Sequence, residues 1–359
     1  MARRAAERFE QGGRILAFGR GPYATDAQHT AVEFVHPVLV GKRALPALDI
    51  SLAFKIWVRA LARPQDIAIG YGPPGGDPEV SEMLAFARAR GALTIGLPDE
   101  GSEYAFAPAT GDERLHQELV EIACHVLYES VHVFLEHGVR GRDLGDSSFL
   151  YPFLADVGAD YQRLTGDATH SILAKERDGA ALREALAEHE AESIAATILA
   201  LGERLAAGGT LFAFGNGGSA TDATDFALDC ATPAGAAPAL RAVSLALEPA
   251  LITALLNDVG REVVFLRQII AQAGPADVVV AFSTSGGSSN VIAALAEARQ
   301  RGLLTVAILG YDGGEILRKG LADRTIVVRS DYIPRIQEAQ AAVYHTIREG
   351  LARLHGLGA

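Results

Sequence analysis

The sequence is poor in the residues and patterns that mark several large classes of protein. Only two cysteines occur among its 359 residues, which excludes a disulfide framework and a cysteine-based zinc site. We expect both, Cys124 and Cys230, to be buried. No run of about 18 uncharged apolar residues is present, as a membrane span would need, and Met1 to Arg4 lead into charged sequence rather than a signal-peptide core. We therefore expect a cytoplasmic protein without membrane contact.

Basic residues are also scarce relative to acidic ones. The chain has 32 Lys and Arg against 44 Asp and Glu, which gives a formal net charge of -12. A protein that tracks a nucleic-acid backbone needs a basic face, so this balance argues against nucleic acid as a partner. A phosphorylated small molecule can still bind at one locally prepared loop.

Apolar residues make up 49% of the chain, enough for sizeable cores, and the length favours two domains. Strands rich in Val, Ile, Leu and Ala alternate with longer amphipathic segments, a pattern typical of a parallel sheet with helices on both faces. The pattern occurs twice. Strands are expected near 14–18, 45–49, 66–71, 93–97 and 104–106, and again near 210–214, 241–246, 277–282, 304–309 and 324–328.

The two halves also share individual side chains. The segment from Gly19 to Ala27 aligns with that from Gly215 to Ala223, with glycines, Thr-Asp and alanines in the same places. Two copies of one fold are the simplest explanation. We predict domains over 1–138 and 180–359, with residues 139–179 as an aperiodic linker.

A hydroxyl-rich motif follows the third predicted strand of the second half. The strand runs into Ser283-Thr284-Ser285-Gly286-Gly287-Ser288 ahead of an apolar-periodic segment. Backbone amides at a helix N-terminus favour an anion, and four hydroxyls exceed the one that helix capping needs. The motif predicts a phosphate cradle. The glycine loop from Gly215 to Ala220 is expected at the same sheet edge, although it also fits the weak G-x-G-x-x-A dinucleotide fingerprint.

His29 and Glu33 are spaced i and i+4, so both side chains leave the same face of a helix. This spacing suits a metal dyad or an acid/base pair, with a structural buried histidine as the alternative. The aligned positions of the second half are Asp225 and Asp229. The imidazole therefore occurs in the first half alone.

Gln117 and His125 form a second spaced pair, and Gln337 and His345 repeat it at the same separation of eight residues. On an ideal helix eight residues rise about 12 Å and turn the side chains about 80° apart. We therefore expect the two members of one pair to serve different sites. Polar positions on a packed helix are the alternative, but the recurrence of the spacing favours function.

These residues resemble the sugar isomerase (SIS) domain family, and within it the phosphoheptose isomerases. The resemblance rests on Gly215 to Ala223, Leu256 to Gly260, Ser283 to Val291, and Arg335 to Glu338 with the later His345. The second half matches nearly end to end, whereas the first resembles the same family with its phosphate loop rewritten. The implied fold is α/β: two tandem SIS domains, each a five-stranded parallel sheet flanked by helices in three αβα layers.

The resemblance implies an enzyme that converts sedoheptulose 7-phosphate to D-glycero-D-manno-heptose 7-phosphate through an enediol, with no nucleotide cofactor. A carboxylate moves a proton between C1 and C2, and a histidine or bound metal handles the oxygens. The partner is then a phosphorylated seven-carbon sugar. The implied phosphate ligands are Ser283, Thr284, Ser285 and Ser288, and the other implied substrate-binding residues are Asn216, Ser219, Asn257, Asp258 and Gln337.

The first copy departs from the family at the phosphate loop. It has Gly72, Pro73, Pro74 and Asp77 where the second copy has its four hydroxyls. Proline lacks an amide donor and a carboxylate repels a phosphate. We expect the first copy not to hold the substrate phosphate, while the second copy lacks the usual His/Glu pair.

One complete set of family residues then remains, divided between the copies. We predict a composite site in which Glu33 is the base, His125 an acid or metal ligand, and the second copy supplies the phosphate loop. Zn²⁺ or a similar ion, one per chain, would be held by His29, Glu33, His125 and Gln337, although zinc sites more often lack glutamine. The reciprocal set, predicted to be degenerate, is Gln117, Asp225, Asp229 and His345.

The resemblance raises two further expectations. SIS domains pair, and the four-domain assembly common in phosphoheptose isomerases would need two of these chains, so we predict a homodimer. The rival function is a non-catalytic SIS protein that binds a sugar phosphate or regulates a protein partner. Metal content and phosphate-ester binding would distinguish the two functions.

Overall fold

The computed structural model describes residues 1–37, 42–137, 161–232 and 238–354. Its contacts divide the chain into two compact units, Met1–Asp178 and Gly179–Ala359. Each unit contains one five-stranded sheet in which all neighbouring strands are parallel. The predicted fold class, two parallel sheets flanked by helices, is confirmed.

The first unit alternates strands and helices. Its strands are β1 (Ile15–Phe18), β2 (Ala47–Asp49), β3 (Ile67–Tyr71), β4 (Leu93–Leu97) and β5 (Tyr104–Ala105). Its helices are α1 (Ala2–Glu10), α2 (Tyr23–Val35), α3 (Phe54–Leu61), α4 (Pro78–Ala89) and α5 (Glu113–His137). A further helix, α6 (Tyr161–His189), begins in this unit and runs past the division at Asp178.

The second unit repeats the alternation. Its strands are β6 (Leu211–Phe214), β7 (Ala242–Ser244), β8 (Val278–Ser283), β9 (Leu304–Gly310) and β10 (Arg324–Val328). Its helices after α6 are α7 (Ala191–Ala206), α8 (Gly218–Ala231), α9 (Pro249–Asp258), α10 (Val264–Gln272), α11 (Ser289–Gln300), α12 (Gly314–Arg318) and α13 (Ile333–Leu354). All ten strands begin and end within two residues of the predicted positions.

The central strands are buried along their whole length. Every residue of β3, β4, β8 and β9 is buried, because helices cover both faces of each sheet. A strand covered on both faces needs a nearly continuous apolar run rather than an alternating one. The runs of Val, Ile, Leu and Ala in the sequence therefore mark the middle of each sheet.

Both sheets have the same strand order, with the second strand of the unit outermost and the first, third, fourth and fifth following it. In the second unit β6 pairs with β8, and in the first β1 pairs with β3. Chain direction across the sheet reverses at that pair, the switch point where ligands bind in open parallel sheets. The loops that leave β6 and β8 therefore meet at one crevice, as do those that leave β1 and β3.

The predicted linker at 139–179 differs from the structure. Residues 138–160 lie outside the described residues, and from Tyr161 onward the chain is in α6, a helix that the sequence did not predict. That the segment is a linker stays a prediction. The first residues of α6 read YQRLTGDATH and lack the apolar stripe on which helix prediction depends. Among the described helices, none is both long and apolar enough to cross a bilayer.

Candidate functional site

The hydroxyl-rich loop of the second unit connects the end of β8 to the start of α11. Ser283 is the last residue of β8, and its Oγ accepts a hydrogen bond from Gly286 N at 3.1 Å. Ser285 Oγ accepts one from Gly287 N at 3.2 Å, and Ser288 is the N-cap residue of α11 but makes no side-chain cap hydrogen bond. In the first turn of α11, Val291 N donates to Asn290 Oδ1 at 3.0 Å, and Ser288 itself leaves the amides that face the loop without a side-chain cap. This arrangement suits an anion.

Gly286 fixes the path of this loop. Its φ is +58°, a left-handed conformation that favours glycine, and a Cβ there would lie 2.2 Å from Gly313 O. The loop therefore lies directly against the segment before α12. Ser283, Thr284, Ser285 and Ser288, the predicted phosphate ligands, occupy one short turn around it, with Ser285 exposed and Thr284 half-buried.

The two loops at this sheet edge are tied together by a pair of amides. Asn216 Nδ2 donates to Asn290 Oδ1 at 2.9 Å, and Asn290 Nδ2 donates to Asn216 Oδ1 at 2.8 Å. Ser219, three residues after Asn216, is buried on the first turn of α8. Asn257 and Asp258 lie exposed on the last turn of α9, joined by a 2.7 Å hydrogen bond. Asn216 and Ser219 thus belong to the crevice loops, whereas Asn257 and Asp258 come from a separate helix.

In the first unit, His29 and Glu33 of α2 meet His125 of α5. The two imidazoles approach with Nε2 of His29 3.2 Å from Nε2 of His125, and Glu33 Oε1 lies 3.9 Å from His29 Nε2. All three side chains are buried. The i, i+4 spacing on α2 therefore does present both side chains on the face that packs against α5.

Burial sets the electrostatics of this group. It lowers the pKa of His29 to about 3, with the charge of His125 adding to the effect, so the His29 imidazole is neutral near pH 7. Burial also raises the pKa of the Glu33 carboxyl. The charge of neighbouring His125 acts in the opposite direction and lowers that pKa. Among the described residues, neither carboxylate oxygen of Glu33 has a hydrogen-bond partner. A buried carboxylate without donors is costly, which is typical of a functional position.

The structure adds Glu121, which the sequence analysis missed. One ligand atom from each of His29, Glu121 and His125 lies within 4.8 Å of the others, the arrangement of a possible metal site. The signal was available, because Glu121 and His125 are spaced i and i+4 on α5, like His29 and Glu33 on α2.

These side chains fit a zinc ion. Tetrahedral zinc with Zn–N bonds of about 2.0–2.1 Å places two imidazole nitrogens about 3.3 Å apart, close to the 3.2 Å between His29 and His125. The neutral imidazole of His29 is the form that binds a metal. Gln337, the ligand predicted from the second unit, is buried, and its Oε1 has no hydrogen-bond partner among the described residues.

The predicted degenerate residues are engaged within their own units. Gln117 Nε2 donates to Thr25 Oγ1 at 3.4 Å and Asp26 Oδ2 at 3.3 Å, one turn of α2 before His29. Gln117 and His125 therefore contact α2 about one turn apart, and that they serve different sites stays a prediction.

In the second unit, Asp225 replaces the imidazole of the first. Tyr344 donates its hydroxyl proton to Asp225 Oδ2 at 2.7 Å, and His345 Nε2 lies 3.6 Å from the same oxygen and 3.9 Å from Asp229 Oδ2. The carboxylate of Asp225 is thus already bonded, unlike that of Glu33.

The first unit closes the loop that follows β3 with its own carboxylate. Asp77, the N-cap of α4, accepts hydrogen bonds from the amides of Glu79 and Val80 at 2.8 and 3.1 Å. Arg20 then lies 3.4 Å from Asp77 and 3.3 Å from Glu79. Amides that could face a phosphate instead face Asp77. That this loop does not bind a phosphate stays a prediction.

Comparison with known proteins identifies relatives of the chain. A family model described as "SIS domain" matches residues 176–310. The phosphoheptose isomerase of Geobacter sulfurreducens is 41% identical over 177 residues, which are 49% of this chain and 93% of that protein. That of Trichlorobacter lovleyi is 42% identical over 163 residues, 44% of this chain and 82% of that protein.

Solved structures give the same result for the fold. A phosphoheptose isomerase from Francisella tularensis matches with a TM-score of 0.50 and 26% identity, covering 52% of this chain and 98% of its own. The C-terminal domain of glucosamine-fructose-6-phosphate aminotransferase from Francisella tularensis matches 99% of this chain and 88% of its own at a TM-score of 0.65. At 11% identity, this second likeness concerns the fold alone. It extends over both units.

Proposed function

This chain belongs to the SIS-domain family as a relative of the phosphoheptose isomerases, and from that premise we propose that it is a phosphosugar isomerase. The observation that carries the proposal is Glu33, a buried carboxylate whose oxygens lack hydrogen-bond donors among the described residues and which lies 3.9 Å from His29. Aldose–ketose isomerisation needs a base that moves a proton between adjacent carbons. A carboxylate with a raised pKa is suited to that task near neutral pH.

We propose sedoheptulose 7-phosphate as the substrate and D-glycero-D-manno-heptose 7-phosphate as the product. The support is the family resemblance at Gly215 to Ala223 and Ser283 to Val291, together with relatives named phosphoheptose isomerase at about 40% identity. The loop between β8 and α11 binds the phosphate in this proposal. Its hydroxyls, and the start of α11 that Ser288 does not cap, supply neutral donors.

The two units divide the work in this proposal. The second unit carries the phosphate loop but has Asp225 bonded to Tyr344 where the first has His29. The first unit carries Glu33 with His29 and His125 but closes its own loop with Asp77. Because each unit carries only one part of the family's machinery, we propose that Glu33 acts on a sugar whose phosphate the second unit binds.

The proton steps follow from these roles. Glu33 takes a proton from C1 of the ketose, the electrons of that C–H bond form the C1–C2 double bond of the enediol, and the C2 oxygen gains a proton. Return of the proton from Glu33 to C2, with loss of the O1 proton, leaves the aldehyde at C1. His125 is placed to exchange protons with the sugar oxygens or to hold a metal. Zinc at His29 and His125, with Glu33 and Gln337 as the other predicted ligands, would polarise the carbonyl as a Lewis acid.

The direct test is incubation of the purified protein with sedoheptulose 7-phosphate, with and without a chelator, while the aldose product is followed. We expect product, and we expect the chelator to reduce its rate. Binding of the sugar phosphate without any product would favour the non-catalytic alternative. Failure to bind it at all would remove the substrate assignment.

We also propose that the chain acts in the cytoplasm as a homodimer, so that two copies bring together four SIS domains. Light scattering at micromolar concentration checks the second point, and a monomer there would contradict it.

A further inference from the structure

Glu121 distinguishes the first unit from the second at the last helix of the repeat. In the alignment that pairs Gln117 with Gln337 and His125 with His345, Glu121 stands where the second unit has Ala341. Both positions are buried. A buried carboxylate is a group that can bind a metal, and at this position the first unit has one where the second has an alanine.

Two imidazoles lie near Glu121. Glu121 lies one helical turn before His125 on α5, and its carboxylate oxygen lies within 4.8 Å of the ligand nitrogens of His29 and His125. The imidazole of His29 has no equivalent in the second unit, where Asp225 occupies the aligned position. Glu121 and His29 therefore occur together in one unit and are absent together from the other.

Glu33 stands apart from this arrangement. It is outside the three-residue cluster, with Oε1 3.9 Å from His29 Nε2. Two imidazoles and one carboxylate with an open fourth position form a typical ligand set of catalytic zinc. The first unit thus contains a full set of three ligands without using Glu33.

We propose that Glu121 is the third protein ligand of a divalent metal ion bound by His29 and His125 within the first unit. This assignment differs from the ligand set read from the sequence, in which Glu33 and Gln337 complete the site. It leaves the carboxylate of Glu33 uncoordinated and able to carry the proton. Metal binding by these three residues stands by itself, and only the role left to Glu33 rests on the proposed function.

The test is zinc binding by the full chain after chelator dialysis, measured as a dissociation constant in competition with a chromogenic chelator. We expect Glu121→Gln to weaken zinc binding at least about 10-fold, since loss of even an outer partner of a metal ligand costs about 10- to 100-fold. Glu113→Gln is the matched control, because Glu113 lies exposed on the same helix and the change in charge is identical. Glu33→Gln is expected to keep wild-type zinc affinity.

A second readout is the visible absorption of bound Co²⁺, which reports the ligand set without reference to activity. We expect Glu121→Gln to change this spectrum and Glu113→Gln to leave it unaltered, with circular dichroism as the check that each variant folds. Wild-type zinc affinity in Glu121→Gln, or loss of zinc in Glu33→Gln alone, would overturn the proposal, as would a wild-type chain that binds no zinc.

Turnover of sedoheptulose 7-phosphate in the same samples separates the metal-ligand proposal from the proposed isomerase function. Zinc binding without turnover refutes the isomerase, and turnover with a zinc-competent Glu121→Gln refutes the ligand.

Discussion

The loops after β3 and β8 are built on the same plan but treat the start of the next helix in opposite ways. In the second unit Ser288 precedes α11 without a side-chain cap, and a neutral pair, Asn216 and Asn290, joins the two crevice loops. In the first unit Asp77 caps α4, and the charged Arg20 joins the same two loops by ion pairs to Asp77 and Glu79.

The difference lies in how each unit satisfies the start of the helix that follows its third strand. Helix N-termini attract anions. In the first unit the anion at the start of α4 is the carboxylate of Asp77. Lys55 and Arg20 offset the charge of Glu79, at 2.7 and 3.3 Å. In the second unit Ser288 leaves this position without a side-chain cap, and we propose that a ligand phosphate occupies it. The same architecture therefore supports either a closed, self-satisfied loop or an open one.

The largest effect is expected at the carboxylates that the two units place on their equivalent helices. Glu33 of α2 aligns with Asp229 of α8. We expect Glu33→Gln to reduce kcat for sedoheptulose 7-phosphate by about 10²- to 10⁴-fold, the range typical of a lost general base. Asp229→Asn is the matched control on α8 and is expected to retain most turnover. Equal losses in both variants would contradict the division of work between the units.

The next largest effect is expected when the second unit receives the N-cap residue of the first. Ser288→Asp places a carboxylate at the start of α11, as Asp77 does at the start of α4, and this carboxylate would face the bound phosphate. Repulsion between unit charges about 4 Å apart is about 4 kcal/mol at an effective dielectric constant of about 20, and we expect KM to rise by at least about 100-fold. Ser288→Asn, which adds similar volume without charge, should change KM far less. A KM in Ser288→Asp near that of Ser288→Asn would show that this loop does not bind the phosphate.

A smaller effect is expected on stability. Asp77→Ala removes the two hydrogen bonds that cap α4 and should lower the free energy of unfolding by about 1 kcal/mol. Ser288→Ala removes a side chain that makes no cap hydrogen bond and should leave the urea midpoint nearly unchanged. A midpoint that falls as far in Ser288→Ala as in Asp77→Ala would mean that the two helix starts do not differ.

The smallest effect is a pH dependence confined to the first unit. His116 is buried with its Nε2 3.2 Å from Gly72 O, beneath the closed loop, and its Nδ1 has no hydrogen-bond partner among the described residues. Burial lowers the pKa of His116 in the folded protein. As pH falls below about 6.5, the unfolded chain binds a proton that folded His116 does not, so stability is lost. Above that pH neither state is protonated and the effect vanishes.

The aligned residue of the second unit, Ile336, supplies the control for this pH dependence. We expect the melting temperature of the wild type to fall more steeply between pH 6.5 and pH 5 than that of His116→Ile. The difference should stay below about 1.4 kcal/mol per pH unit, the contribution of one proton. Parallel curves for the two proteins would exclude His116 as the source.

The sequence by itself determined the architecture and the outline of both sites. A continuous apolar run such as Val278 to Phe282 is typical of a strand in the middle of a sheet covered on both faces, and the strands were predictable to within two residues. The i, i+4 spacing of His29 and Glu33 fixed their common helix face. The alignment of the two copies alone showed that the first copy lacks the four hydroxyls of the second-copy loop and has Gly72, Pro73, Pro74 and Asp77 instead.

Only the tertiary structure decided which helices bring their polar residues together. The approach of Glu121 and His125 to His29 joins α5 to α2 across most of a domain's sequence, and no local pattern encodes a contact of that kind. The helical start of α6 was missed because its first ten residues carry no apolar stripe. Spacing along one helix reports which side chains share a face, so the sequence alone could have paired Glu121 with His125. What that face meets depends on packing between distant elements, which is why only the fold brings Glu121 close to His29.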